Sequence, residues 1–282
     1  MKPTVLISDF DNTLYDWFRM WHASFTAMLS EIERISGLKR ESLYPEIHEI
    51  HRRYRTSEYA FLIEAIPSLR AAFPGRDLKV VFDDAIHAYN RARKQTLTLY
   101  PGVADTLRAL RTKGVTIALY TDSLWFYTGT RIRMLELDGL IDYVYAPPDH
   151  ELPAGLPANE VRRYSPEHYR LKHTVHRSLP EGVAKPDPEL LLDIAQELKV
   201  ERGACIYVGD SLMKDIAMAK DAGISDVWAE YGAHPDPQEY MLLQSVSHWP
   251  DVAVRQEANT TSKTVVPSRT IMNFSEIVPL FD

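Results

Sequence analysis

The chain has few of the features that mark secreted or membrane-spanning proteins. It contains one cysteine, Cys205, in 282 residues. It therefore cannot form an intrachain disulfide, which fits a reducing compartment. No stretch approaches the ~18 consecutive apolar residues of a membrane span, and Lys2 followed by Pro3 does not begin a secretion signal. We therefore expect a cytoplasmic protein without a membrane partner.

Positive charge is also scarce. The 32 Lys and Arg residues are outnumbered by 39 Asp and Glu, giving a formal net charge of -7, so no basic field favours a nucleic acid polymer as partner. Internal repeats and low-complexity tracts are absent from the sequence. Hydrophobic residues make up 45% and charged residues 25%, which is ordinary for a globular protein with a sizeable core.

Short apolar runs alternate with helical patterns along most of the chain. Three of these runs end in acidic or hydroxyl residues: Val5–Ile7 before Asp9 and Asp11, Val115–Tyr120 before Thr121-Asp122-Ser123, and Ala204–Val208 before Gly209-Asp210-Ser211. Further strands are predicted at 143–145, 227–229 and 270–271. The alternation predicts an α/β fold with a doubly wound, mostly parallel sheet. Ligands bind such sheets at the carboxyl ends of the strands.

Residues 15–98 interrupt this alternation with helices alone. The spacing of apolar residues predicts helices at about 17–35, 43–54, 59–66 and 78–97. We therefore predict a helical cap domain at 15–98, inserted into a core made of 1–14 and 99–282. Two proline-rich stretches, 146–182 and 233–268, fit no regular element and are predicted to be irregular insertions in the core. Whether the basic segment 159–177 binds a second phosphate, binds a partner or is a solvated loop stays open.

The first apolar run ends in two carboxylates separated by one residue. Asp9 and Asp11 would lie on the same side of an extended strand. Two acids in that arrangement repel each other unless a cation or a shared proton intervenes. The alternative interpretation is a polar loop whose acids cap a helix.

Four motifs follow one another in the chain: Asp9-Phe10-Asp11-Asn12-Thr13, Thr121-Asp122-Ser123, Lys185-Pro186-Asp187-Pro188, and Gly209-Asp210-Ser211 with Asp215. In this order the sequence resembles the haloacid dehalogenase-like hydrolase superfamily, and in particular its phosphatases with a helical cap. The resemblance covers residues 4–15 and about 100–230. It implies a Rossmann-like core, with the helical insert in the position of the cap.

The resemblance also implies chemical roles. Asp9 would be the nucleophile that forms an aspartyl-phosphate. Asp11 would protonate the leaving oxygen and later activate water. Lys185 would offset negative charge on the phosphate and the nucleophile.

Mg²⁺ is the implied cofactor, since carboxylates and phosphate are the ligands it prefers. Its ligands would be Asp9, Asp210, the backbone carbonyl of Asp11, and Asp215 either directly or as an orienter of Lys185. The substrate phosphate would be held by Thr121, Lys185 and the segment through Asp122 and Ser123.

Each of these residues also has a simpler interpretation. Thr121 and Ser123 could cap the next helix, Lys185 could be solvated, and Asp215 could be an acid favoured by a helix dipole. Asp122 departs from the superfamily, which often has an uncharged residue there, and is expected to turn away from the phosphate.

The sequence thus predicts a Mg²⁺-dependent phosphatase acting on a small phosphorylated metabolite. The segment Asp11–Tyr15 also looks like the first motif of pyrimidine 5′-nucleotidase-type members, so a nucleotide monophosphate is one candidate substrate. A phosphosugar mutase is the alternative, although His22 lies one residue from the position that mutases require. A non-catalytic binding protein on the same fold is the third hypothesis. The oligomeric state cannot be derived from the sequence.

Overall fold

In the part of the chain that the structure describes, seven parallel strands form one sheet. The computed structural model describes residues 2–149, 166–180, 182–250, 252, 256 and 259–282. The strands lie in the order β4-β3-β2-β1-β5-β6-β7. In chain order they are β1 (Val5–Ser8), β2 (Thr116–Tyr120), β3 (Tyr143–Ala146), β4 (Val175–Ser178), β5 (Cys205–Gly209), β6 (Ser225–Ala229) and β7 (Thr270–Ile271). The predicted doubly wound parallel sheet is confirmed, and the direction of winding reverses between β1 and β5.

Strand β4 was not predicted, because its sequence, Val-His-Arg-Ser, contains a single apolar residue. It lies at the edge of the sheet beside β3, and three of its four residues are exposed. An edge strand with exposed side chains needs no apolar run. The prediction of an irregular stretch at 146–182 is therefore wrong for 175–178, and it is also wrong for 166–169, which are helical. Residues 150–165 of that stretch, including part of the basic segment, lie outside the described residues.

The first of two compact units contains the sheet and comprises Met1–Asp16, Leu99–His234 and Glu257–Asp282. Its core joins side chains of β1, β2 and β5 to two helices, with Ile7, Ala118, Tyr207, Leu191 and Met218 all at most 1% exposed. The α-helices of this unit are Val103–Thr112, Trp125–Met134, Pro166–Tyr169, Pro188–Glu197 and Ala217–Asp221, with a π-helical turn at Leu212–Ile216 and 3₁₀ turns at Arg202–Ala204, Glu230–Gly232 and Phe274–Phe281.

The second unit is helical and comprises Trp17–Thr98 and Pro235–Gln256. Its helices are Trp17–Ser36, Arg40–Tyr54, Leu62–Ala65, Pro67–Ala72, Leu78–Val81, Asp83–Thr96 and Pro237–Val246. The predicted helix at 78–97 is divided at the fully buried Phe82. Pro67 begins a helix that was not predicted, which fits the preference of proline for the first turn. None of the helices in the described part of the chain is both long and apolar enough to cross a membrane.

The prediction that 233–268 is an irregular insertion in the core is wrong for residues 235–256. These residues belong to the helical unit, and Pro237–Val246 form a regular helix. The Asp236 side chain accepts a hydrogen bond from the backbone N–H of Gln238 at 2.8 Å, which caps the helix. Leu243 and Val246 are buried in this unit, and the burial of these apolar side chains stabilises the helix.

A buried histidine ties this segment to the helix Arg40–Tyr54. His51 is fully buried, and its Nδ1 lies 2.6 Å from the carbonyl oxygen of Val246. Because a carbonyl only accepts, Nδ1 carries the proton. Nε2 is buried without a hydrogen-bond partner. Burial lowers the pKa of His51 to about 4 from 6.5, an effect that the Val246 carbonyl opposes, so the ring is neutral in the folded protein near neutral pH.

We predict that this histidine makes the protein less stable in acid. Between pH 6.5 and 4 the unfolded chain binds a proton at His51 that the folded chain does not, so the free energy of unfolding falls as pH decreases. The full contribution is about 3 kcal/mol at pH 4. Chemical denaturation gives the free energy of unfolding of the wild type and of His51→Gln at each pH from 7.5 to 4.5. The difference between the two values should become smaller as the pH falls.

The exposed Val80 of the same unit provides the control, because its side chain does not titrate. Val80 is 72% exposed, so the stability difference between the wild type and Val80→Ala is expected to stay constant over this pH range. A pH-independent difference for His51→Gln would contradict the prediction.

Candidate active site

Three of the four motifs meet at the carboxyl edge of the sheet because their strands are neighbours in register. Ser8, the last residue of β1, pairs with Leu119 of β2 and with Val208 of β5. The residue that follows, Asp9, donates its backbone N–H to the Val208 carbonyl at 2.8 Å. The loops that begin at Asp9, Thr121 and Asp210 therefore leave the sheet side by side, at the point where its winding reverses.

Lys185, from the remaining motif, lies between two of the acids. Its Nζ is 2.5 Å from Asp9 Oδ1 and 2.9 Å from Asp215 Oδ1, and its side chain is 3% exposed. The ammonium also lies 5.1 Å from the ring centre of Tyr120 and 5.6 Å from that of Tyr207. A lysine this deeply buried is stabilised only when it is paired. The structure therefore excludes the interpretation of Lys185 as a solvated residue.

Asp215 is fully engaged by protein groups. In addition to Lys185, its Oδ1 accepts a hydrogen bond from the Tyr207 hydroxyl at 2.7 Å, and its Oδ2 accepts one from the Ser211 backbone N–H at 3.0 Å. The side chain is 2% exposed. Of the two roles that the resemblance allowed Asp215, this geometry favours the one that orients Lys185. Tyr207 was not foreseen, since an inward tyrosine in an apolar strand resembles any core residue.

The electrostatics of this group follow from its burial. Burial raises the pKa of Asp9 to about 7, with Asp215 and Asp11 adding to the effect and Lys185 opposing it. Burial alone would lower the pKa of Lys185, but Asp215 and Asp9 hold it well above its usual value. Burial, with Asp215 nearby, likewise raises the pKa of Tyr207 far above its usual value, so that residue remains a hydrogen-bond donor. Lys185 is therefore a permanent cation.

Three carboxylates at this edge could hold a metal ion. Asp9, Asp210 and Asp215 can each offer a carboxylate oxygen, and the three oxygens lie within 4.8 Å of one another. Lys185 neutralises one of these charges, so a divalent cation would complete the charge balance. An all-oxygen set of this kind fits Mg²⁺. The Asp11 carboxylate is not part of this group.

The Asp11 carboxylate is held by a different set of side chains. The Tyr15 hydroxyl donates a hydrogen bond to its Oδ1, and the Ser123 hydroxyl donates one to its Oδ2. The guanidinium of Arg131 lies 3.7 Å from Oδ1. Arg131 was missed in the sequence, although one feature indicated it: it is a charged residue on the helix face that also contains Thr128 and Ile132, both buried.

In the second motif, Thr121 bonds within the motif, whereas Asp122 contacts two lysines from other parts of the chain. The Thr121 hydroxyl accepts a hydrogen bond from the Ser123 backbone N–H at 3.1 Å. Asp122 Oδ1 accepts one from the backbone N–H of Lys185 at 3.0 Å, and its Oδ2 lies 3.6 Å from Lys214 Nζ. Asp122 thus fixes the position of the Lys185 backbone. This is a structural use of the extra acid that the sequence did not reveal.

The turn after Asp9 is fixed by groups from the 3₁₀ turn Glu230–Gly232, which follows β6. Asn12 has a left-handed backbone conformation with φ of 59°, which asparagine tolerates better than most residues. The Tyr231 hydroxyl donates a hydrogen bond to the Thr13 carbonyl at 2.6 Å. A Cβ atom at Gly232 would overlap the carbonyl oxygen of Asn12. The backbone of the first motif is therefore positioned by a hydrogen bond from Tyr231 and by close packing against Gly232.

We predict that Gly209 tolerates no side chain, because a Cβ atom there would overlap the side chain of Asp215. Asp215 cannot move aside without losing Lys185 and Tyr207. Gly209→Ala should therefore lower the free energy of unfolding by about 1–3 kcal/mol, the usual cost of overpacking. Equilibrium denaturation measures this loss.

Gly203 is the matched control, since a Cβ atom there would meet nothing within 4 Å. Gly203→Ala is expected to change the stability by no more than about 0.5 kcal/mol. Equal stabilities for the two alanine variants would show that the contact between Gly209 and Asp215 is not restrictive.

The sequence is similar to a known hydrolase family and to two phosphatases. Residues 3–223 match the haloacid dehalogenase-like hydrolase family. A glyceraldehyde 3-phosphate phosphatase of Methanopyrus kandleri is 26% identical over 242 residues, which are 82% of this chain and 85% of that protein. A phosphoglycolate phosphatase of Pseudomonas putida is 28% identical over 145 residues, which are 51% of this chain and 41% of that protein.

Among solved structures, a 2-haloacid dehalogenase from Pseudomonas syringae pv. Tomato has a similar fold. The TM-score is 0.57 at 18% sequence identity, over 99% of this chain and 97% of that one. The family match covers most of the sequence, including all four motifs of the site. The chain therefore belongs to the haloacid dehalogenase-like hydrolases.

Proposed function

We propose that the protein is a Mg²⁺-dependent phosphatase that hydrolyses a small phosphomonoester through an aspartyl-phosphate on Asp9. The observation that supports this most directly is the buried Lys185, which pairs with Asp9 at 2.5 Å beside the cluster of acids. Relatives named as phosphatases, which match 82% and 51% of the chain, support the same reaction class.

In the first step an oxygen of Asp9 attacks the phosphorus atom, and the bond from phosphorus to the leaving oxygen breaks. Asp11, in its protonated form, gives its proton to that oxygen. In the second step a water oxygen attacks phosphorus and the bond to Asp9 breaks, while Asp11 takes the proton from water. The products are an alcohol and inorganic phosphate, and both acids return to their starting states.

Asp11 also argues for phosphoesters over organohalides. A halide leaves without a proton, so a dehalogenating enzyme needs no acid at that place. An alkoxide leaves poorly unless it is protonated. A carboxylic acid two residues after the nucleophile, with its own hydrogen-bond partners, therefore fits ester cleavage.

Positive charge and hydrogen-bond donors would stabilise the phosphate during transfer. Lys185 lies against the nucleophile and would offset the charge that develops on the phosphoryl oxygens. Thr121 and the backbone N–H groups that follow it are the proposed donors to those oxygens. Asp215 and Asp122 hold the Lys185 side chain and backbone respectively, which fixes the cation before substrate binds.

Asp9 and Asp210 are the residues proposed to hold Mg²⁺ through carboxylate oxygens, with the Asp11 backbone carbonyl as a further ligand. When bound, the ion would neutralise the acids and the phosphate dianion so that they can approach each other. Asp215 remains close enough to contribute, although Lys185, Tyr207 and Ser211 already occupy its oxygens.

The names of the relatives bear on the substrate. Glyceraldehyde 3-phosphate and phosphoglycolate are phosphorylated three- and two-carbon compounds. We therefore place a substrate of that size ahead of the nucleotide monophosphate suggested by the first motif.

The test is phosphate release from a panel of phosphomonoesters with Mg²⁺ and with EDTA. The wild type should release phosphate only with the metal. Asp9→Asn should lose at least about 10³-fold in kcat, because an amide cannot form the phosphoenzyme.

Asp193 is an exposed acid on the helix Pro188–Glu197. The variant Asp193→Asn is the matched control and should retain wild-type activity. If Asp9→Asn were as active as this control, the aspartyl-phosphate mechanism would be wrong.

A further inference from the structure

Arg131 is a buried cation in the helix that follows the second motif. It lies in the helix Trp125–Met134, and its side chain is 4% exposed. Removing a charge from water costs several kcal/mol unless the charge is paired. An aliphatic residue would fill the same space without that cost. The position of the guanidinium therefore calls for an explanation beyond packing.

Arg131 contacts Asp11, the proposed acid–base residue, both directly and through Ser123. Its Nη1 lies 3.4 Å from Ser123 Oγ and 3.7 Å from Asp11 Oδ1. The rings of Tyr15 and Tyr127 each lie 5.7 Å from the guanidinium carbon, so aromatic faces also hold it in place. Tyr15 is itself a hydrogen-bond partner of Asp11.

These contacts fix the direction of one hydrogen bond. A guanidinium only donates, so Ser123 Oγ accepts from Arg131 and must direct its own proton to Asp11 Oδ2. Oδ2 is thereby kept as an acceptor. Oδ1 accepts a hydrogen bond from the Tyr15 hydroxyl, and that hydroxyl can accept one instead when Oδ1 carries a proton, because a phenol both donates and accepts. Oδ1 is therefore the oxygen at which Asp11 can exchange a proton.

We propose that Arg131 is a positioning residue for the reaction: through Ser123 it holds the Asp11 carboxylate so that Oδ1 can give a proton to the leaving oxygen and take one from water. This inference rests on the proposed phosphatase function. It adds a residue outside the four motifs, and it assigns the proton transfer to one of the two oxygens.

The leaving group separates this role from a purely structural one. p-Nitrophenolate leaves without protonation, so the formation of the phosphoenzyme from p-nitrophenyl phosphate does not need Asp11. Phenolate is a much poorer leaving group, so phenyl phosphate does need the acid. Hydrolysis of the phosphoenzyme needs Asp11 as a base with both substrates.

The experiment compares the two substrates with the wild type and Arg131→Gln, with Mg²⁺ present. For p-nitrophenyl phosphate we expect kcat and KM to fall together by about tenfold or more, with kcat/KM unchanged, because a slow second step makes the phosphoenzyme accumulate. A burst of p-nitrophenol should precede the steady state. For phenyl phosphate, kcat/KM itself should fall by about tenfold or more.

The ratio of kcat/KM for the two substrates does not depend on how much of the variant is folded, since the same sample serves for both. Arg131→Lys keeps the charge without the forked donor, so its ratio should lie between those of the wild type and Arg131→Gln. Arg133→Gln, on the same helix and partnered with the His168 carbonyl, should leave the ratio unchanged.

Equal losses of kcat/KM with both substrates, or no change with either, would overturn the positioning role of Arg131 while leaving the phosphatase proposal in place. Absence of phosphate release by the wild type from both substrates and from the panel of phosphomonoesters would instead overturn the proposed function, and this inference with it.

Discussion

The rest of the site depends on the ion pairs that the buried ammonium of Lys185 makes with Asp9 and Asp215. Lys185 joins the end of β1, through Asp9, to the segment after β5, through Asp215, and it comes from a third part of the chain. Removing one partner of a buried ion pair typically costs about 3–5 kcal/mol, because the other charge remains buried and unpaired. The same contact is therefore a constraint on the fold and a preorganised charge beside the proposed nucleophile. In the proposed mechanism, stability and catalysis depend on one contact.

The central architecture was predictable because it follows from strong local patterns. Strands β1, β2 and β5 are apolar runs buried on both faces, which sequence reveals directly. Strand β4 could not be predicted, because its register is set by β3 alone and its side chains face solvent. The assignment of residues 235–256 was missed for a related reason. The helix Pro237–Val246 is only weakly amphipathic, and His51, which bonds to Val246, lies almost two hundred residues earlier in the chain.

The acids and the lysine were identifiable from the sequence because their types and spacing are unusual, but their partners were not. Tyr207 looks like any residue of a buried strand, yet its hydroxyl contacts Asp215. Asp122 was expected to turn away from the phosphate, but its contact with the backbone of Lys185 depends on the path of a loop more than sixty residues later. Arg131 becomes meaningful only once a helix face brings it beside Asp11. Sequence identifies reactive groups, whereas the groups that orient them depend on tertiary structure.

The contribution of residues 235–256 to the helical unit has a consequence for modularity. The chain passes between the two units four times, after residues 16, 98, 234 and 256. Residues 17–98 are thus not an autonomous cassette. Grafted alone onto a related core, they would leave the Nδ1 proton of His51 without its acceptor and the partners of Leu243 and Val246 exposed to water. Recombination between relatives would preserve this unit only by exchanging both segments together, so the two distant stretches of sequence are expected to be inherited as a pair.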